Sequence, residues 1–422
     1  MVSFKTGASS LLNYRLAVFM AAVLALYGTY SLSFQRVEGL LPDLAGRLLP
    51  EAELSDAVAV IAIDTASLKA YGAWPWQRDL LATVITRLQK FKPEAIGFAL
   101  PLTGRETPPV VSTLRAELDT LDAPLRDKAN AWLKGMDTDA RLAQALKEAG
   151  NVVLAVPYEI GGQGTDLSAV PGRLLLDTVS QQAGWRRKAW RYLLSAPQQA
   201  AFRPNFPLPV YLDSVAGAGV REAYSDNRYV SGVALVTGED GRYLAGFELA
   251  LLAGDRTLDV MPGVGVSIAG QRDIAAPDLI YYPRPAGRVP VYSLQRLMQD
   301  DSLKAELRNR TLLLGLTAST LVPELTGPAG YRYTPVTWSA HILDSLHGGN
   351  AFVMPAWFYG AQRALILLFA GYLFFLPGSW HRRAAPIVSV LLAALVLNAG
   401  LVMLIVQGLW LPVTGPSAFL LF

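Results

Sequence analysis

At 422 residues the chain has room for on the order of two or three domains. Its 52% hydrophobic content and mean hydropathy of +0.30 are high for a wholly soluble protein, and a formal net charge of +3 without a dense basic block excludes a nucleic-acid-binding surface. With no cysteine in the chain, disulfides, thiolate zinc sites and cysteine nucleophiles are excluded as well.

The first element is Leu16 to Leu32, almost uncharged and, with its flanks, long enough to cross a hydrocarbon layer of about 30 Å. Lys5 and Arg15 precede it, which favours a cytoplasmic N-terminus. The competing reading is a cleaved signal peptide, for which the segment is long. Residues 1–34 are therefore expected to be a cytoplasmic end and a first transmembrane helix. A connector rich in leucine and proline follows, and then the apolar β-branched run Val58 to Ile63, which stops at Asp64. After the aromatic turn Trp74-Pro75-Trp76 and Arg78, the periodicity predicts a helix over 79–90, with Leu80, Leu81, Val84, Ile85 and Leu88 on one face. A second strand over 95–100 completes a parallel βαβ unit.

Helical patterns follow at Leu114 to Leu133 and at Thr138 to Ala149, with Thr138 as N-cap, before a third strand from Asn151 to Val156. Residues 161–206 interrupt the pattern as an insertion. Its basic aromatic cluster from Trp185 to Arg191 suits either anionic headgroups or an envelope polymer, or else a solvated helix face with two buried tryptophans. Beyond it the reading is paired strands over 213–236, a helix from Phe247 to Ala253, a strand from Asp278 to Tyr282 and a helix over 291–298. A strand from Thr311 to Leu316 and a last helix from Trp338 to His347 complete this part. The fold class is α/β: a mixed, mainly parallel sheet with helices on both faces, occupying 35–355 outside the cytoplasm, joined to α-helical transmembrane segments. Three further spans are read in 356–422: Trp357 to Leu376, Ile387 to Val406 and a last one begun at Pro412. The loop His381-Arg382-Arg383 lies inside, as the positive-inside rule requires. The end in an apolar run points to a cytoplasmic continuation past Phe422.

Few catalytic motifs are available. There is no G-x-S-x-G elbow and no phosphate-binding G-x-x-x-x-G-K-[ST] loop. Gly263-Val264-Gly265 lacks the third glycine of a dinucleotide site, Ile268 standing in its place. His341 and His347 are six apart, on different faces of one helix, so they do not make a metal pair, and no metal or cofactor is implied. Asp64, at the carboxyl end of a strand, is either a ligand contact or a cap for the helix after it. Glu324 is the second carboxylate considered. Trp74, Pro75 and Trp76 either wall a pocket or pin the turn into the core, and Arg78 is read as the partner of Asp64.

The blocks AVIAID, GAWPWQR, DARLAQALKEAGNVVLA, LIYYPRP, TLLLGLTAS and SAHILDSLHGG, in that order, resemble the type-2 CHASE domain, a sensory extracellular domain. The resemblance runs from roughly Leu40 to Pro355. It implies signature or ligand positions at Asp64, Trp74, Pro75, Trp76, Arg78, Tyr282, Arg284 and Thr317. Two departures stand out: Ala99 occupies a place where relatives usually carry Asp, and Thr337 and Ser339 stand where relatives carry a Glu and a His. The expectation is the sensory input half of a bacterial inner-membrane receptor, not itself an enzyme, feeding a cytoplasmic cyclase, kinase or phosphodiesterase. Its expected partners are the membrane, an unknown small-molecule or envelope ligand, and a second copy in a homodimer, with no nucleic acid. The alternatives are an anchored envelope enzyme using Asp64 and a scaffold subunit docking through Trp185 to Arg191.

Overall fold

The structure is a computed structural model that describes residues 3–29, 40–106, 126–128, 137–160, 172–178, 202–239, 242–261, 265–276, 279–354, 357–375 and 385–421. The chain begins with α1 (Ser3–Gly28) and α2 (Leu40–Leu48). β1 (Val58–Ile63) leads into α3 (Thr65–Tyr71) and α4 (Arg78–Gln89), then β2 (Ala95–Phe98), α5 (Thr138–Ala149) and β3 (Val152–Ile160). β4 (Leu175–Thr178), β5 (Phe202–Pro204), α6 (Pro209–Leu212) and β6 (Gly217–Glu222) follow. Next are β7 (Val233–Ala234), β8 (Val236–Glu239), β9 (Arg242–Ala245) and α7 (Phe247–Ala253). Then come β10 (Leu258–Met261), β11 (Gly265–Ile268), β12 (Arg272–Ala275), β13 (Ile280–Pro283) and β14 (Val291–Ser293). The last part holds α8 (Leu294–Gln299), α9 (Lys304–Leu307), β15 (Thr311–Leu316), β16 (Leu325–Thr326), β17 (Arg332–Tyr333), α10 (Pro335–Gly348) and β18 (Ala351–Phe352). Three helices close it: α11 (Phe358–Phe375), α12 (Ala385–Gln407) and α13 (Thr414–Leu421).

The main sheet runs β14-β1-β15-β2-β3, with β3 also pairing β5 and β6. All these pairs are parallel except β3 with β5. Strand alternation sends side chains to two cores. Val58 and Val60 of β1 enter the one built with α7 and α10, whereas Ala59, Ile61 and Ile63 enter the one built with α4 and α5. The sheet is thus covered on both faces, which is why its strands read as continuous apolar runs. β1 and β2 are parallel as expected but not neighbours, because β15 lies between them.

A second sheet, β12-β11-β10-β4-β9-β8, has no counterpart in the sequence reading. Other differences are local. Within 213–236, β6 joins β3 and β7 joins β13, so the two do not pair with each other. Residues 291–298 divide into β14 and α8 rather than one helix. The N-cap of α5 is Asp137, whose side chain accepts from Ala140 N–H, and Thr138 is the first helical residue. The helix expected at Leu114 to Leu133 lies outside the described residues apart from 126–128, and the cluster from Trp185 to Arg191 and the Gly263-Val264 pair lie outside them entirely.

Among the described residues, α12 alone is long and apolar enough to cross a membrane; shorter apolar helical stretches cover Leu12–Gly28 and Gly360–Phe375. Val18, Ala22, Phe369, Leu373, Ala393 and Phe419 pack these helices with α12 and α13 in a common cluster. Arg363 is buried there and donates from Nε to Thr29 Oγ1 at 3.3 Å, so it faces a neighbouring helix.

Candidate ligand site at the carboxyl edge of the main sheet

Parallel strands deliver their carboxyl ends to one edge of a sheet, where α/β proteins gather ligands. On the β14–β1 side of this edge, Asp64 caps α3. Its Oδ1 accepts from Ser67 N–H at 2.8 Å, Ser67 Oγ at 2.7 Å and Ser293 Oγ at 3.1 Å. Partial burial pushes the carboxyl up, but these bonds outweigh it and hold Asp64 below its ordinary value.

Arg78 does not reach Asp64, contrary to the sequence expectation. Its Nε lies 3.7 Å from Asp139 Oδ1, its Nη2 donates to Gly104 O at 3.2 Å, and its backbone N–H donates to Glu106 Oε2 at 2.7 Å. The Asp64 carboxylate is engaged instead by Ser67 of the helix it caps and by Ser293 at the end of β14. Asp139, buried on the first turn of α5, also accepts from the Tyr211 hydroxyl and from Glu106 N–H at 3.1 Å. Asp139 opens the block DARLAQALKEAGNVVLA but was given no role there, and Tyr211 lay in no quoted block; their burial in three dimensions identifies them. The aromatic turn joins α3, capped by Asp64, to α4, which begins at Arg78. Trp76 is buried, donates its indole N–H to Gly72 O at 2.8 Å, and meets Tyr71 edge-on at 5.8 Å. Trp74 lies tilted against it at 6.0 Å, and the Trp74–Pro75 peptide bond is cis.

On the other side of the edge, between the ends of β2, β3, β6 and β15, opens a cleft of about 220 Å³. Ala99, Pro101, Pro157, Leu316, Pro335 and Val336 supply apolar wall, and Arg221, Glu222 and Tyr224 supply the polar part. Two glycines set its shape. A Cβ on Gly315 would lie 2.7 Å from Val336 Cβ, so only glycine there lets the start of α10 pack this close to β15. A Cβ on Gly219 would lie 2.5 Å from Phe247 Cα, so α7 sits directly on β6. By strand alternation Arg221 shares the face of Gly219, towards α7 and its Glu248, which is 2% exposed.

The electrostatics of the cleft are unbalanced. Glu222 and Arg228 form an ion pair. Burial pushes Glu248 above its ordinary value, against a hydrogen bond from the Ser339 hydroxyl and the charge of Arg221, while its Oε2 has no hydrogen-bond partner. Burial likewise pulls Arg221 down, opposed by Glu248 and Tyr224, and its Nη1 is buried without a partner. Burial raises the hydroxyls of Tyr158 and Tyr224, reinforced by Glu222 and Glu248, so both remain neutral donors. Sequence reasoning missed Arg221 and Glu248; the available signal was a charge two residues after Gly217-Ala218-Gly219 in an otherwise small, apolar strand. Two positions of departure noted in the sequence meet here, Ala99 in the wall and Ser339 behind it on Glu248.

The remaining signature residues are apart from the cleft. Thr317 follows β15 and its N–H donates to Ile63 O at 3.1 Å. Tyr282 and Arg284 lie at the far end of the domain. Arg284 N–H donates to Asn350 O at 3.1 Å, and its guanidinium stands 6.0 Å over the Phe352 ring. Tyr282, paired with Phe352, meets Trp410 edge-on at 4.5 Å. Val353 N–H donates to Gly408 O at 2.9 Å, and Trp410 N–H returns to Val353 O at 3.0 Å. The α12–α13 connection is therefore bonded directly to the chain leaving α10. That helix is itself tied to the connector before β1, since Asp344 accepts from Ser55 Oγ at 2.6 Å and from Ser55 N–H at 3.1 Å.

In comparison with known proteins, a family model described as the CHASE2 domain matches residues 18–376, from within α1 to just past α11. No curated protein and no solved structure matches the chain.

Proposed function

The chain belongs to the CHASE2 domain family, a family of sensory extracellular domains, and on that premise we propose that it is the membrane-anchored input module of a bacterial signalling receptor. The domain between α1 and α11 is the detector, its ligand site is the cleft beside Arg221, and its helices carry the state of the cleft through the inner membrane to a cytoplasmic output. The observation that carries this reading is the bonded junction of Val353 with Gly408 and Trp410. It couples the domain rigidly to the helix best suited to cross a membrane. A relay needs two states that the ligand binds unequally; α10 reaches the cleft side through Ser339 at Glu248, and the chain just after it meets Arg284 through Asn350.

In this reading α1, α11 and α12 span, α13 begins a further span, the N-terminus is cytoplasmic, and two copies associate. The cysteine-free chain suits single-cysteine labelling. Gln144→Cys, exposed on α5, is expected to react with an impermeant maleimide in cells with a permeabilised outer envelope. Ser9→Cys is expected to react only after the inner membrane is opened. Labelling in the reverse order, or of both in intact inner membranes, contradicts the reading. The enzyme alternative gains nothing from Asp64, whose Oδ1 is engaged by Ser67 and Ser293.

A further inference from the structure

The cleft beside Arg221 has a chemical character that goes beyond the general role of a sensor. A guanidinium nitrogen buried without an acceptor is costly, and Nη1 of the half-buried Arg221 is such a group, with Glu248 offering charge attraction but no hydrogen bond to it. The acids nearby do not fill the gap. Glu222 is engaged by Arg228, and Glu248 is bound by Ser339 and stays outside the cleft wall. The surroundings of Arg221 are otherwise proline, alanine, leucine and valine. The volume of about 220 Å³ is below the roughly 300–1,000 Å³ of sites for drug-sized ligands, which suits a small molecule.

We propose that this cleft binds a small monocarboxylate, with its carboxylate on the Arg221 guanidinium and its short hydrocarbon body against Pro157, Pro335 and Val336. The planar fork of arginine matches a carboxylate in two parallel hydrogen bonds. One cation in an apolar wall matches a monoanion, whereas a phosphate dianion would bring a second charge that nothing here neutralises. Tyr224 adds a neutral hydroxyl at the polar end. The carboxylate supplies the acceptors the protein itself leaves out, and the walls discriminate by chain length.

The role assigned to this ligand rests on the sensor reading, so the experiment separates the two. The full chain in phosphatidylcholine nanodiscs is titrated by calorimetry with sodium acetate, propionate, butyrate, valerate and hexanoate. Chloride, inorganic phosphate and butyramide serve as controls. Saturable binding that peaks at a short chain and is absent for the controls is expected. Arg221→Gln is expected to weaken it by about tenfold or more, the loss typical of a charged hydrogen bond. Ala223→Phe, which fills the mouth and leaves Arg221 in place, is expected to abolish it, a check that holds even if Arg221→Gln perturbs folding. Equal binding of butyramide, preference for phosphate, undiminished binding by a folded Arg221→Gln protein, or no alkanoate binding would each overturn the carboxylate assignment. None of these results alters the hydrogen-exchange response at residues 408–413 to filling the cleft, which tests the sensor reading separately.

Discussion

His341 lies 1% exposed on α10, stacked on Tyr333 at 5.3 Å and tilted against Trp338 at 5.7 Å. Neither ring nitrogen makes a hydrogen bond of good geometry. Burial pushes its pKa down to about 4, with only the backbone of Arg284 pulling the other way. The folded value is below the unfolded one near 6.5, so the unfolded chain binds the extra proton first. The stability associated with the neutral ring is complete above about pH 6.5 and is lost as pH falls to about 4, by roughly 3 kcal/mol in all. His341→Phe keeps an aromatic ring in the stack and is expected to flatten the dependence of the denaturation midpoint on pH across that window; an unchanged slope would mean that His341 is not its source. At this scale the sequence was informative about Asp64, whose short polar neighbours suit a helix start. It gave no role to Arg221, Glu248 or Asp139, because burial of a charge is decided by residues far away along the chain.

Between elements, the closest approach is that of α7 to β6. It depends on Gly219, where any side chain meets Phe247 backbone. Gly219→Ala is expected to cost about 1–3 kcal/mol in overpacking, read as a lower midpoint in chemical denaturation, and to move Glu248 away from Arg221. A midpoint equal to that of the parent chain would show that α7 shifts freely. Elements with strong patterns were legible: the amphipathic face of α4 buries Leu81, Val84, Ile85 and Leu88 as expected while Leu80, at its margin, is half-buried, and the β-branched run of β1 forms a strand covered on both faces. The six-stranded second sheet was not. Its strands are four residues long, too short for periodicity to separate from turns, and β4 joins β10 across about eighty residues. The insertion of β15 between β1 and β2 is equally invisible locally, since strand order is set by which faces must be covered and not by the strand's own residues.

For the whole molecule, the sensor reading proposed above requires the cleft and the closing apolar helices to be two ends of one coupled body. Ser339 touches the cleft's buried acid, Asp344 fastens the same helix to Ser55, and the chain after it is bonded to Gly408 and Trp410. Hydropathy read the apolar helical segments and the α/β part separately, but no pattern in the sequence joined them; the junction exists only where Tyr282, Val353 and Trp410 meet in space. Transmission through packed and bonded elements requires that a change at one end alter the populations at the other. The direct measurement is hydrogen exchange of the full chain in nanodiscs, comparing the parent protein with Ala223→Phe at the cleft. The account predicts altered protection at residues 351–354 and 408–413 as well as around the cleft. A change confined to the cleft walls, with 408–413 untouched, would contradict it.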